Sequence, residues 1–309
     1  MILITGIGGF IGRRMAEIFR ERKIDFVGID YKESSYVPKE NFIKLDVRDS
    51  KLADIIREKK VDSIIHMAFV TAPKIDPNIR KDIDINGSKN IIESAVKNGI
   101  KDIVFISSER VYGDQKAEGG VIDKDGNYLN PLDDIYAKDK IEAENLFLDA
   151  SEKNGFNLSI LRLAIVCIKG GGPGLGDMIN SASKTGRYMK LRGKNPPIQL
   201  IHCDDVVDAA YNALGKNGIF DIGAEDKITL TEIFEYAAQL GGKKPSPINL
   251  PEKPTYYLVK FLWNIGLSPI PPLYVRMLGY DFFRDVSKTV ETLGKPKYSS
   301  KEIIENIVS

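Results

Sequence analysis

The first twelve residues, MILITGIGGFIG, constrain this chain more than any other stretch. Residues 1 to 5 read as a short apolar strand, and an amphipathic run begins at residue 10. Glycines fill the gap between them. A strand that turns at once into a helix leaves the helix's first N–H groups unpaired at the strand's carboxyl end, where the helix dipole is positive. Phosphate groups bind such a place. Gly6 allows the sharp turn, Gly9 removes a side chain where a pyrophosphate approaches the backbone, and Gly12 lets the helix pack close to the sheet. The spacing departs from G-x-G-x-x-G: Gly6 and Gly8 fit it, but its third glycine falls on Ile11. The plain alternative is a tight strand-to-helix turn. A position directly after a strand favours the phosphate pocket.

The rest of the first half repeats the pattern. Residues 24–30, 42–46, 61–68, 101–108 and 157–163 are short runs rich in Ile and Val, nearly continuous in hydrophobicity. Strands buried on both faces of a parallel sheet read this way. Helical patterns over 10–22, 50–58, 81–98 and 135–154 separate them. This alternation predicts an α/β, doubly wound parallel sheet with right-handed crossovers. The rhythm breaks near residue 165. A glycine-rich stretch follows at 168–176, then proline-rich ones at 243–254 and 267–274. We expect residues 1–165 to form the nucleotide-binding domain, with a returning segment near 195–224. Residues 166–309 are expected to form a smaller, irregular substrate-binding domain interleaved with the first.

Four positions sharpen the expectation. Asp30 ends the second predicted strand, where a carboxylate accepts hydrogen bonds from both ribose hydroxyls of adenosine and repels a 2′-phosphate, so NAD is favoured. Lys32 nearby keeps NADP open. Tyr136 and Lys140, in YAKDK, lie four apart on one helical face. An ammonium beside a phenol favours the phenolate and makes a proton-transfer group. Ser108 ends the strand before them, at the sheet edge where open α/β sheets bind ligands. There it could hold a substrate hydroxyl against Tyr136.

Composition excludes other classes. With 44 basic and 43 acidic residues and no like-charge block, nothing suggests a nucleic-acid groove. The two cysteines, Cys167 and Cys203, read as buried small apolar residues in a reducing cytoplasm. No basic leader precedes the first strand, so a signal peptide is not expected. His66 and His202 lack metal-ligand spacing. GGGPG (170–174) resembles a phosphate cradle without the lysine-serine pair that would follow it. The apolar run 256–267 is too short to span a bilayer. Leu258, Phe261, Leu262 and Ile265 follow helical spacing there, with Tyr256, Val259 and Trp263 on the other side, so it is expected to pack into the core. A lid, a dimer face or a membrane contact are the alternatives.

Taken together, T-G-x-x-G-x-x-G, SSERVYG and YAKDK resemble the extended short-chain dehydrogenase/reductase family, in its NAD-dependent epimerase/dehydratase branch. NGSKNIIESA (86–95), LIHCDDVVDAAYNAL (200–214) and FDIGAEDKITLTEI (220–233) extend the likeness. The resemblance implies an NAD cofactor, with Tyr136 as acid/base, Lys140 tuning it and holding the nicotinamide ribose, and Ser108 orienting the substrate oxygen. It implies that Phe10 and Ile11 lend amides to the pyrophosphate, that Asp46 and Val47 flank the adenine, and that Ala68 lines the cofactor. A homodimer through helices 81–98 and 135–154 is implied as well. Besides the apolar run 256–267, two departures stand out. Glu109 and Arg110 replace the Asp-Glu of dehydratases, and Glu109 is expected to be solvated or ion-paired. Ile198 and Ile165 occupy places where epimerases of nucleotide sugars carry an arginine and an asparagine. Arg187, Arg192 and Arg276 are candidates to replace the lost contacts. The expected function is a UDP-glucose 4-epimerase-like nucleotide-sugar epimerase. The second reading is a dehydrogenase of a less polar, steroid-like or lipid-linked alcohol. A non-catalytic dinucleotide sensor ranks last, because Tyr136 and Lys140 are both kept.

Overall fold

A seven-stranded parallel sheet organises the computed structural model, which describes residues 1–114, 120–123, 125–169, 174–268 and 270–309. The strands are β1 (Ile2–Thr5), β2 (Phe26–Asp30), β3 (Phe42–Lys44), β4 (Ser63–His66), β5 (Asp102–Ser108), β6 (Asn157–Leu163) and β7 (Gly218–Ile222). Their order is β7-β6-β5-β4-β1-β2-β3, with every neighbouring pair parallel. The chain runs from β1 outward to β3, then crosses to β4 on the other side of β1. Sheets of this kind bind ligands in the crevice that such a reversal opens at the strands' carboxyl ends.

The helices are α1 (Phe10–Glu21), α2 (Leu52–Glu58), α3 (Gly87–Lys97), α4 (Ile135–Asn154), α5 (Leu175–Thr185), α6 (Cys203–Asn212), α7 (Leu230–Leu240), α8 (Glu252–Asn264), α9 (Leu273–Met277), α10 (Ser287–Leu293) and α11 (Ser300–Val308). Successive strand residues point to opposite faces, and β1 shows the result. Ile2 and Ile4 join Met15 and Phe19 of α1 and Val206 and Ala210 of α6 in one core layer. Leu3 joins Ile56 of α2, Ile91 of α3 and Phe147 of α4 in the other. A third core, around Ile179, Phe234 and Ile303, holds α5, α7 and α11 together.

The helix expected over 81–98 is broken. A short turn, Pro77–Lys81, passes into a π-turn over Asp82–Asn86 before α3 begins at Gly87. The turn places Asp84 inward, where it accepts the Val70 N–H at 2.8 Å. It also sets Gly87 against Val47, so tightly that a Cβ there would stand 2.6 Å from Val47 Cγ2. Past β6, Ile165–Cys167 pairs with Leu200–His202 outside the main sheet. Helix α6 then leads to β7, which returns to the main sheet beside β6 where sequence expects a strand. Arg14 of α1 clasps Asp204 of α6 through two bonds, at 2.7 and 2.8 Å. Residues 170–173 of GGGPG lie outside the described residues.

Helix α8 corrects the sequence reading. None of its residues is buried. Tyr257, Leu258 and Phe261 stand 66%, 58% and 61% exposed. Periodicity predicts the helix, but it cannot say that the body reaches only one of its sides.

Close approach makes Gly12 irreplaceable. A Cβ there would lie 2.5 Å from the Gly6 carbonyl oxygen and 2.6 Å from Ile7 Cα, both backbone atoms that cannot swing aside. Gly12→Ala is expected to cost about 2 kcal/mol of stability, an overpacking penalty. Urea unfolding checks this as a lower midpoint at unchanged slope.

Candidate active site

The crevice beside β1 begins with open amides. Gly9 caps α1 with no side chain, and the first turn of the helix carries no acid. Its first N–H groups, including those of Phe10 and Ile11, have no carbonyl within the helix to meet. Gly6, at φ +72°, lies so near Ala68 that a Cβ would stand 2.9 Å from Ala68 Cα. Asp30 sits at the end of β2, where its Oδ2 accepts the Gly8 N–H at 3.0 Å and its Oδ1 the Lys32 N–H at 3.1 Å. Lys32 turns back over the Tyr31 ring, 5.1 Å from its centroid. Asp46 is held by Arg48, which keeps its carboxyl below the ordinary range. Val47 is buried, and its carbonyl accepts from Asn90 at 2.7 Å. Open amides, a glycine cradle and an acid at the end of β2 together fit a dinucleotide.

A buried relay forms the floor of the crevice. Thr5 Oγ1 accepts the N–H groups of Met67 and Ala68, both at 3.1 Å. Its own proton therefore goes to His66 Nδ1, 2.7 Å away. That leaves His66 Nε2 as the donor to Ser88 Oγ at 3.3 Å, and Ser88 donates to the Asp84 carbonyl at 2.6 Å. The partners thus assign His66 the neutral Nε2–H tautomer. Burial pushes its pKa down to about 3, and Lys140 adds to the effect.

Ser108, Tyr136 and Lys140 meet at the carboxyl end of β5. Ser108 ends the strand, and its hydroxyl accepts the Arg110 N–H at 3.3 Å on the side of the site that Tyr136 occupies. Asp134 caps α4 by accepting the Ala137 N–H at 3.2 Å, which places Tyr136 in the first turn. Arg110 binds the same Asp134 through two bonds, at 2.7 and 2.8 Å. Its guanidinium rests 4.7 Å from the Tyr136 ring centroid. Sequence expects the ammonium of Lys140 to lower the Tyr136 pKa, and the structure differs. Burial pushes Tyr136 up to about 12, while Arg110 and the Ser108 hydroxyl pull it back. Lys140 Nζ lies deeper, 5.8 Å from the Tyr136 ring, and donates to the Ile106 carbonyl at 2.6 Å. Burial lowers its own pKa to about 7, against the pull of Asp84 and Glu144.

Helix α4 is anchored from below. Arg162 of β6, wholly buried, pairs with Glu144 at 2.6 Å and Asp123 at 2.8 Å. Glu144 also accepts from Ser107. Glu109 is not solvated, and among the described residues it has no ion-pair partner, contrary to expectation. It is buried with Oε2 lacking a hydrogen-bond partner, and burial holds its pKa well above the usual range although Arg284 opposes the shift.

Tyr136 faces a cleft of about 260 Å³ walled by Arg80, Arg110, Tyr256, Trp263 and Arg276. A larger cavity, about 370 Å³, lies near Asp205, Asp208 and Lys297, away from these groups. Ile198 is buried in a short strand paired with Ile228–Thr229. Ile165 packs against the third core. Both are packing residues. Of the three candidate arginines, Arg276 reaches the cleft, while Arg187 and Arg192 are exposed. Sequence reasoning passes over Arg80 and Asp134 and treats Arg110 only as a departure from the dehydratase pattern. A cap signal, an aspartate before a helical run, does mark Asp134 in the sequence.

Several known proteins resemble this chain. Residues 2–223 match the NAD dependent epimerase/dehydratase family. A putative UDP-glucose 4-epimerase of Methanocaldococcus jannaschii is 30% identical over 250 residues, which is 76% of this chain and 80% of that protein. Two solved structures share the fold. The UDP-glucose 4-epimerase of Thermotoga maritima with UDP-glucose is 21% identical, with a TM-score of 0.76 over 99% of this chain and 97% of that one. The UDP-glucose 4-epimerase of Thermus thermophilus in complex with NAD is 22% identical, with a TM-score of 0.75 over the same shares. The chain belongs to the NAD dependent epimerase/dehydratase family, and it is an NAD-dependent enzyme of the short-chain dehydrogenase/reductase type.

The His66 pKa has a testable sign. The unfolded histidine titrates near 6.5 and the folded one near 3, so the unfolded chain binds the extra proton between those values. The stability from keeping His66 neutral is complete above pH 6.5 and is lost as pH falls toward 3. Between neutral pH and about pH 4, the wild type should lose roughly 3 kcal/mol more than His66→Asn. Urea titrations at each pH measure the difference.

Proposed function

We propose that the protein is a nucleotide-sugar epimerase that inverts a carbinol centre by oxidation and re-reduction. The observation that carries the reading is the Tyr136 phenol, set beside Ser108 under the Arg110 guanidinium and facing a cleft at the carboxyl edge of the sheet. The 4-epimerase names of its relatives support it. In this reading Ser108 holds the substrate hydroxyl against Tyr136. Tyr136 takes the proton as the hydride leaves the carbon, and returns it when the hydride comes back to the opposite face. Bound NAD supplies the hydride acceptor and donor. Arg110 favours the ionised phenol that this proton transfer needs, and Lys140 holds the nicotinamide ribose. Phe10 and Ile11 meet the pyrophosphate, Asp30 the adenosine ribose, and Asp46, Val47 and Ala68 the remaining walls.

Arg276 and Arg80 are our candidates for the substrate diphosphate, since Ile198 and Ile165 are spent on packing. A dehydrogenase of a less polar alcohol is the second reading, favoured by the cleft's Tyr256, Trp263 and Leu273 wall. We further assign a homodimer through α3 and α4. Cys167 and Cys203, free and buried, support a cytoplasmic setting.

Two measurements test the assignment. Tyr136→Phe should lower UDP-glucose/UDP-galactose interconversion by about 10²–10⁴-fold, the worth of a positioned acid/base group, while the denatured protein still releases NAD. Full turnover in this variant would remove Tyr136 from the chemistry. Mass spectrometry of small molecules released from the native protein should find NAD near one per chain. Net NADH production from an alcohol would instead favour the dehydrogenase.

A further inference from the structure

Helix α8 has two different sides. Tyr256 and Trp263 face the body and wall the cleft that holds Tyr136. The Arg276 guanidinium lies 4.4 Å from the Tyr256 ring centroid, and Lys74 Nζ lies 5.0 Å from that of Trp263. The other side carries Tyr257, Leu258, Phe261 and Ile265, all exposed, and Leu267 just beyond the helix is 71% exposed. An apolar stripe of this size on open surface marks an interaction site.

The charge around the stripe identifies the partner. Residues 253–277 contain Lys253, Lys260 and Arg276 and no aspartate or glutamate. Acids make up 43 of the 309 residues, about one in seven, so a run of this length would ordinarily hold three or more. Lys253 and Lys260 are exposed and, at helical spacing, flank the stripe on one edge. Glu252, just before the run, is tied to Lys194 at 2.7 Å. The run also holds the chain's one tryptophan and three tyrosines, rings that favour a boundary between apolar and wet surroundings. An exposed apolar face with lysines at its rim and aromatic rings around it suits the interface of a bilayer. Among the described residues no helix is long and apolar enough to cross a membrane, so the contact is made from one side.

We propose that the outer face of α8, from Lys253 to Leu267, docks the enzyme on an anionic lipid surface. The same helix walls the cleft, so docking turns the cleft mouth toward the bilayer. The proposal concerns binding alone and does not depend on which alcohol the cleft accepts.

The test is sedimentation of the whole protein with vesicles of phosphatidylcholine containing phosphatidylglycerol, beside vesicles of phosphatidylcholine alone. The wild type should sediment with the anionic vesicles, and added salt should release it. Lys253→Gln with Lys260→Gln should weaken binding by roughly thirtyfold, the effect of two basic side chains at such a surface. Leu258→Ser, Phe261→Ser and Ile265→Ser together should abolish it while the thermal midpoint stays near wild type. If that triple variant unfolds, the lysine pair carries the test alone. Failure of the wild type to bind anionic vesicles overturns the proposal, as does undiminished binding by the variants. Light scattering that shows a wild-type dimer reduced to monomer by the triple substitution, with no vesicle binding, assigns the face to a second copy instead.

Discussion

The Thr5 hydroxyl is the contact on which the site depends. It accepts two amides from just past the end of β4 and donates to His66, so it joins the carboxyl ends of β1 and β4 where the strand order reverses. Parallel strands diverge beyond their last ladder bond, and a crevice left to itself would vary in width. The Thr5 bonds set that width, and the Gly6 and Ala68 backbones close to contact behind them. The open end of α1 and the carboxylate of Asp30 then stand at a fixed separation across the loop. Neutral His66 is part of the same joint, because a protonated ring could not accept the Thr5 proton.

Burial governs the chemistry of the other half of the site. Taking Tyr136 and Lys140 out of water makes each resist its charged form, so the phenol rises and the ammonium falls. The protein answers with charges fixed from outside the pair. Arg110, locked to the cap residue of α4, faces the phenol ring. Asp84 and Glu144 stand toward the lysine. The Asp84 carboxyl is itself raised to about 7 by burial, although the Val70 N–H and the charges of Lys140 and Arg80 oppose the shift. A low-dielectric pocket makes each of these interactions stronger than it would be in water.

The fold is largely legible in the sequence because its causes are local. Each apolar run of the first half forms a strand, and Asp30, Ser108 and Tyr136 arrive at the sheet's carboxyl edge because each ends a strand or opens a helix there. The break at Asp82–Asn86 is not legible, since helical periodicity carries no sign of a widened turn. Arg110 reads in sequence as a missing dehydratase acid because its partner, Asp134, lies 24 residues away and only folding brings them together. The burial of Glu109 escapes sequence for the same reason: its neighbours Asp221 and Arg284 come from β7 and the loop after α9.

By itself the sequence determined the parallel sheet, the glycine turn against β1 and the residue types at the ends of its strands. These follow from periodicity, from the missing Cβ of glycine and from side chains acting on their own backbone. Tertiary structure decided which charges face Tyr136, that Ile198 and Ile165 serve packing, and that α8 exposes its apolar side. Those outcomes depend on which distant surfaces meet. A side chain's burial and its electrostatic field are properties of the assembled neighbours, and no local pattern encodes them.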